Sequence, residues 1–378
     1  MFLFQRLIGV SIYAVCVLWF YMYIPRVKGL KLHLTIYCFL LGLMGFFYVP
    51  LSGSDLGRVQ LTMKAYAKLS LEEIVSRMMD SSAPLGVLYY HLIGHLGDER
   101  LLPFINALLT YGICFSILLR CQKSISCKVS NISLVLLFFM SRGLLMMTIA
   151  NIRTMLSLAI VGYAIYLQLA EKQPILKCLI IMLVGAFVHN VGMLATILFM
   201  AFYIISGAKG RKRFFTFVEM IVFGGAFFIY GGSFVTSAAE KGIHYLTAQS
   251  GYFYVWEMIL SLIVIITTLF LLYVYKRKYQ LLSNKCREEK ICFGKELMQF
   301  QCFVAIICFT LIFVEFNSGM RLSWLVAILD MPVFLIILEN KYISREQAGK
   351  VRNFLKVVSS VMLFLACSRG DLCSLKFV

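Results

Sequence analysis

The feature that constrains this chain most is the recurrence of long apolar stretches. Runs fall near 7–24, 34–50, 101–119, 129–147, 150–170, 214–232, 253–275, 297–315, 322–338 and 353–367. A further run, 175–206, is too long for one ordinary helix, since a helix needs only about 20 residues to cross a bilayer. It divides best at His189-Asn190 into two short passes, which brings the count to about 12. With 61% hydrophobic and 14% charged residues, a soluble core cannot hide this apolar surface. Disorder is excluded by the same figures, because disordered chains are poor in apolar residues. The expected fold is all-α: a polytopic integral membrane protein, one multi-span domain over 1–378 with a long extracytoplasmic loop at 51–100.

The net charge of +18 would suggest nucleic acid in a soluble protein. Here the charges sort by loop. The segments 25–33, 120–128, 171–177, 207–213, 276–296 and 339–352 hold 23 Lys/Arg against 6 acids. The opposite side, termini included, holds 12 Lys/Arg and 8 acids. The positive-inside rule makes the first set cytoplasmic and turns both termini outward, with no nucleic-acid partner implied. The basic N-terminal residues lead into an apolar run without a small-residue cleavage site, which reads as a retained first span. Of 12 cysteines only Cys373 lies outside, and no Cys-x-x-Cys occurs, so disulfides, zinc and redox chemistry are not indicated.

In the outer loop, Leu56, Val59, Met63, Tyr66 and Leu69 recur at helical spacing, and Ser70-Leu-Glu-Glu73 reads as a capping box opening a second helix. Two short amphipathic helices on the outer leaflet are expected. The piece 83–93 is apolar but too short to span, so it is re-entrant or interfacial.

Ionisable groups at membrane depth are expensive and mark functional sites. Arg142 lies in a Ser-Arg-Gly break, and Arg153 follows Asn151 as the next span enters; 11 residues apart, they share a face if the helix is continuous. His189-Asn190 sits at the turn of the short hairpin. Asn317 and Arg321 are spaced i, i+4 at another outer turn, and Asp55 and Arg58 open the outer loop. Four arginines and a histidine thus come from five stretches to one membrane level. Arginine offers a fork that matches phosphate, and histidine is the usual base near neutral pH. The set suits a lipid-linked pyrophosphate, with Arg58, Arg142, Arg153 and Arg321 on the diphosphate and His189 taking a hydroxyl proton. Asp55 is a second candidate base, and Asn151, Asn190 and Asn317 are supporting groups. The competing reading is structural: arginines near span ends snorkel to the interface, and a histidine at a helix end bonds a carbonyl. His91 and His95 are i, i+4 without the intervening Glu of a zinc-protease motif, so no metal is assigned. Asp330 should face the bundle interior, and it and Glu315 are expected to pair with arginines. No nucleotide-binding loop occurs and no cofactor is implied. The sequon at Asn131 falls on the cytoplasmic side and is discounted.

Four stretches resemble the EpsG family of bacterial exopolysaccharide proteins, a branch of the Wzy-type polysaccharide polymerases. They are Ser54-Asp-Leu-Gly-Arg58, Ala83-Pro-Leu-Gly-Val-Leu-Tyr-Tyr90, Asn151-Ile-Arg153 running into Leu156-Ser-Leu-Ala-Ile160, and Gly185-Ala-Phe-Val-His189. The resemblance covers roughly 50–205. Val59 and Thr154 stand where the family pattern often has an aromatic and a Gln. The resemblance implies polymerisation of undecaprenyl-pyrophosphate-linked oligosaccharide at the outer face of a bacterial cytoplasmic membrane. A growing chain passes to the non-reducing sugar of another lipid-linked unit, beside a flippase and a chain-length regulator. The alternatives are a transporter or flippase of an anionic or lipid-linked sugar, a membrane O-acyltransferase, and a non-catalytic scaffold.

Overall fold

The computed structural model describes residues 2–26, 28–50, 55–206, 255–283, 293–339 and 344–368. Every regular element among them is a helix, the form that satisfies backbone N–H and C=O groups without water. In order these are α1 (Phe2–Tyr23, closed by a 3-10 turn at Ile24–Arg26), α2 (Leu30–Phe46), α3 (Asp55–Tyr66), α4 (Leu71–Met79), α5 (Pro84–Gly94), α6 (Leu101–Ile125), α7 (Val129–Ser141) and α8 (Leu144–Ala150). They continue as α9 (Ile152–Leu169), α10 (Ile175–Val188), α11 (Asn190–Ser206), α12 (Val255–Ser283), α13 (Lys295–Val314), α14 (Phe316–Leu338) and α15 (Arg345–Ser368).

Seven of these helices, α1, α6, α9, α12, α13, α14 and α15, are long and apolar enough to cross a membrane. The pair α7 and α8, bent by 54°, makes an eighth. Three further apolar helices, α2, α10 and α11, have 17, 14 and 17 residues. The expected span at 214–232 lies outside the described residues, as does the basic cluster 207–213. The protein is therefore a multi-pass helical membrane protein.

α14 is the centre of the bundle, with 94% of its span buried. α1 and α15 form the flank, with 28% buried, and expose Val15, Trp19, Met22, Val357 and Phe364. An apolar outer surface of this kind meets acyl chains. Asp330 of α14 does face the interior, as expected, but no arginine meets it among the described residues. Its carboxyl oxygens receive Gln301 Nε2 at 2.8 Å from α13 and lie 2.8 and 2.9 Å from Thr268 Oγ1 of α12. Helix-borne neutral donors on both neighbours make a counter-cation unnecessary. Glu315 likewise caps its own helix, accepting the Ser318 N–H, where an arginine partner was expected.

The predicted outer helices form as α3 and α4. The capping box is complete: Ser70 N–H donates to Glu73 Oε2 at 2.7 Å, and Glu73 N–H to Ser70 Oγ at 3.3 Å. These bonds hold the Glu73 carboxyl below its usual range. α4 buries Ile74 and exposes Leu71, Val75 and Met79 on one face, the pattern of a helix lying at an interface. The short apolar piece becomes α5, which buries Val87, Tyr90, His91 and Ile93 against its neighbours.

The chain alternates between two ends of the bundle. At one end Arg120 pairs with Glu171 at 2.7 Å and Lys172 with Glu296 at 2.6 Å. There too Glu339 accepts the Lys128 N–H at 2.6 Å. These are the loops the charge pattern makes cytoplasmic. At the other end lie the 141–144 break, the start of α9, the α10–α11 turn and the start of α14. Leu96, just before α6, and Lys123, in its last turn, are both exposed and mark its opposite ends. In a Cys-less background, Leu96→Cys should react with an impermeant maleimide in intact cells, and Lys123→Cys only after permeabilisation. The reverse labelling would invert the orientation.

Candidate functional site

The site end is built from helix breaks. α7 stops at Ser141, and Gly143 turns the chain with φ +72°, a backbone conformation that costs glycine little. α8 then stops at Asn151, whose side-chain amide lies 3.7 Å from Met147 Sδ. Two breaks therefore separate Arg142 from Arg153, and the shared face expected of one continuous helix does not exist.

Arg142 goes inward. It is 0% exposed, and its Nη2 donates to Glu257 Oε1 and, at 3.0 Å, to Ser261 Oγ, both on α12. Glu257 Oε1 also accepts Trp324 Nε1 at 3.1 Å, and Ser323 Oγ lies 3.0 Å from Ser261 Oγ. The expectation that Arg142 faces a pyrophosphate is corrected: its charge is met by a buried carboxylate. Charged groups inside an apolar bundle are stable only when paired, and this pair ties α7, α12 and α14 together. Sequence reading missed Glu257. Its signal was present, as an acid inside the apolar run 253–275.

Arg153 and His189 do converge. The chain turns back at His189, with α10 and α11 packed on each other and both on α9. Ser157 Oγ holds the turn, donating to Gly185 O at 2.7 Å and lying 3.4 Å from His189 O. His189 is thus beside Ser157, about one turn along α9 from Arg153. α5 closes against both. A Cβ added at Gly86 would lie 2.8 Å from Arg153 Cδ and 2.8 Å from Val188 O, so only glycine fits there. One turn further along α5, the Tyr90 ring lies 5.1 Å beneath the Arg153 guanidinium carbon, a cation–π contact. Burial pushes the Tyr90 phenol up to about 12, with Arg153 drawing it back, so the ring stays neutral at physiological pH. Asn190 Nδ2 donates to Ser82 Oγ at 3.3 Å, tying the turn to the segment before α5. Three of the stretches that carry the family resemblance meet at this point.

His189 itself has a defined polarity. The Val191 N–H donates to its Nδ1 at 3.2 Å. An accepting Nδ1 places the proton of the neutral ring on Nε2, where it is a donor. A general base needs a bare nitrogen, and here Nδ1 is taken by the Val191 amide.

The remaining candidates are more dispersed. Asp55 and Arg58 pair with each other across one turn at the start of α3, with side chains 53% and 71% exposed. Asn317 and Arg321 were expected in a turn; they stand on the first two turns of α14, and the turn itself is the single residue Glu315. Both are half-buried at the site end. His91 and His95 each direct Nδ1 to a carbonyl, Tyr66 O at 2.8 Å and His91 O at 2.9 Å. No group of three or more His, Cys, Asp or Glu suited to a metal occurs among the described residues.

A structural role for Arg142 has a direct signature. Removing one partner of a buried pair costs about 3–5 kcal/mol, while replacing both with apolar residues costs much less. Thermal unfolding in detergent should show Glu257→Leu and Arg142→Met each strongly destabilised and the double variant partly restored. Equal, additive losses would break the assignment.

The chain matches no protein-family model, no curated protein and no solved structure in the three comparisons made, so its functional reading rests on these residues.

Proposed function

We propose that the protein is a polysaccharide polymerase of the Wzy type, crossing the membrane in twelve passes with the site end outward. It would transfer a growing glycan from a polyprenyl pyrophosphate to the non-reducing sugar of another lipid-linked unit. The observation that carries this reading is that Gly86 of α5 packs against both Arg153 and the Val188 carbonyl beside His189, with Tyr90 under the arginine, at the end opposite the basic loops. Lipid-linked units present their diphosphate at the membrane surface, and the site end offers a cation and a hydrogen-bond donor there.

In the proposed step the acceptor hydroxyl attacks the anomeric carbon, the bond from that carbon to the diphosphate breaks, and lipid diphosphate leaves. Charge grows on the departing oxygens, and preorganised donors aimed at developing charge supply the largest catalytic term in many enzymes. Arg153 provides the fork, held in orientation by the Tyr90 face. His189 adds its Nε2–H. Arg321 supplies a second cation from α14. The hydroxyl proton passes to water or to a carboxylate, for which Asp55 is the candidate once it exchanges Arg58 for substrate. Arg142 acts only through the packing of the break it occupies.

A transporter of the same lipid-linked unit is the second reading. It is favoured by one observation, the bent α7–α8 pair with a buried cation at its break, since discontinuous helices line many transport sites. A deletion strain separates the two. Single repeat units at the surface without polymer indicate a polymerase; lipid-linked units trapped inside indicate a flippase.

Arg153→Lys keeps the charge and loses the fork. Polymer yield should fall about 10²-fold or more at normal protein level, the usual cost of losing one such donor. At His189 the polarity sets the outcome: Gln keeps a donor and Ala does not. His189→Gln should retain a measurable part of the polymer yield and His189→Ala should lose it. If both are equally dead, His189 is the base and its ring turns during the reaction. If Arg153→Ala polymerises normally, the site is misplaced.

A further inference from the structure

The opposite end of the bundle holds a second polar feature that the polymerase reading does not use. Where α1 ends and α7 and α15 begin, the helices line an open cavity of about 420 Å³. Three cations line it: Arg26 at the end of the 3-10 turn, and Arg352 and Lys356 one turn apart on α15. No carboxylate lines it. Among the described residues none of the three takes part in an ion pair, although seven other pairs form elsewhere.

The cavity has a built wall. Asn131, fully buried, donates its Nδ2 to Glu339 Oε1 at 2.7 Å. That bond fixes the amide, so its Oδ1 faces Arg352 and accepts Arg352 Nε at 2.9 Å. The arginine is held by one edge, while its two terminal nitrogens take no hydrogen bond among the described residues. Two parallel donors on a held guanidinium match two oxygens of one phosphate. The sequon reading of Asn131 is excluded by the same bonds.

We infer that this cavity is a binding site for the phosphate headgroup of an anionic phospholipid. The cations select a negative headgroup, and basic pockets between membrane helices on the cytoplasmic side take such lipids. The flanking surface favours a lipid over a free anion. Met22 lines the cavity and is 58% exposed, and Trp19, Val357 and Val361 are exposed on the two helices beside it. Acyl chains would lie along this apolar flank while the phosphate sits among Arg26, Arg352 and Lys356.

The test uses the full-length protein in a neutral detergent, titrated separately with phosphatidylglycerol, phosphatidylcholine and inorganic phosphate. Bound lipid is counted by native mass spectrometry, and thermal unfolding is followed in parallel. Phosphatidylglycerol should bind saturably and raise the unfolding temperature, and phosphatidylcholine should do neither. Each charge near a membrane surface contributes roughly fivefold in affinity, so Lys356→Gln should weaken binding about fivefold, and Arg352→Gln with Lys356→Gln about thirtyfold. Arg352→Lys keeps the charge but loses the fork, so it should bind more weakly than the unaltered protein. If the double variant is poorly folded, the exposed Lys356→Gln alone decides. Unchanged affinity in Lys356→Gln and the double variant, or equal binding of the two lipids, would overturn the proposal. So would a full thermal shift from inorganic phosphate alone, which would make the cavity a site for a soluble anion. None of these outcomes depends on polymer production.

Discussion

A helix that breaks inside an apolar bundle frees amides and carbonyls that no water can reach. Each must then find a partner in the protein. The chain breaks in this way at 142–143, at Asn151, at His189 and at Glu315, and all four breaks lie at one end. Their partners are polar side chains: Ser157 for the carbonyls at the α10–α11 turn, Glu315 for the first amides of α14. Polar chemistry is concentrated at that end because the backbone requires it there. A functional site can be assembled from such breaks at small extra cost, since the polar groups are already committed.

The same requirement divides the arginines. Arg142 sits in a break that is enclosed on every side, and an enclosed cation needs an anion; Glu257 supplies it, with Ser261 accepting from the same arginine nitrogen and Trp324 donating to the carboxylate. Arg153 sits in the first turn of α9, half-buried, with an aromatic face below it and α5 alongside. Two arginines alike in sequence context therefore have opposite availability. Asp330 is a third solution to the same problem, a buried carboxyl met by Thr268 and Gln301.

The two ends of the molecule are chemically unlike. One carries the helix breaks and the outer helices α3, α4 and α5. Among the described residues the other carries most of the basic side chains, some paired across loops and three gathered round a cavity. Surface ion pairs contribute little to stability, so the pairing of Arg120 with Glu171 or Lys172 with Glu296 matters more for aligning helix ends than for energy. Three cations that form no ion pair among the described residues, Arg26, Arg352 and Lys356, line that cavity together.

Periodicity and composition by themselves determined the all-α membrane class, most of the span positions, the Ser70 capping box and the break at His189. These are local or additive properties: a run of apolar residues is apolar wherever it folds, and a cap is formed by residues three apart. They also brought Arg153 and His189 to one level, because parity needs only the order of spans. What lay outside their reach was which polar residues meet across the bundle. Glu257 lies 115 positions from Arg142, and nothing local couples them. The continuous helix joining Arg142 to Arg153 was a reasonable expectation that failed, because Gly143 and Asn151 end helices that hydropathy alone would run together. The polarity of His189 depends on one amide bond from Val191 that spacing does not reveal. Only tertiary structure decided these points, since a buried charge or a ring nitrogen takes its role from the atoms packed against it, and those atoms come from distant parts of the chain.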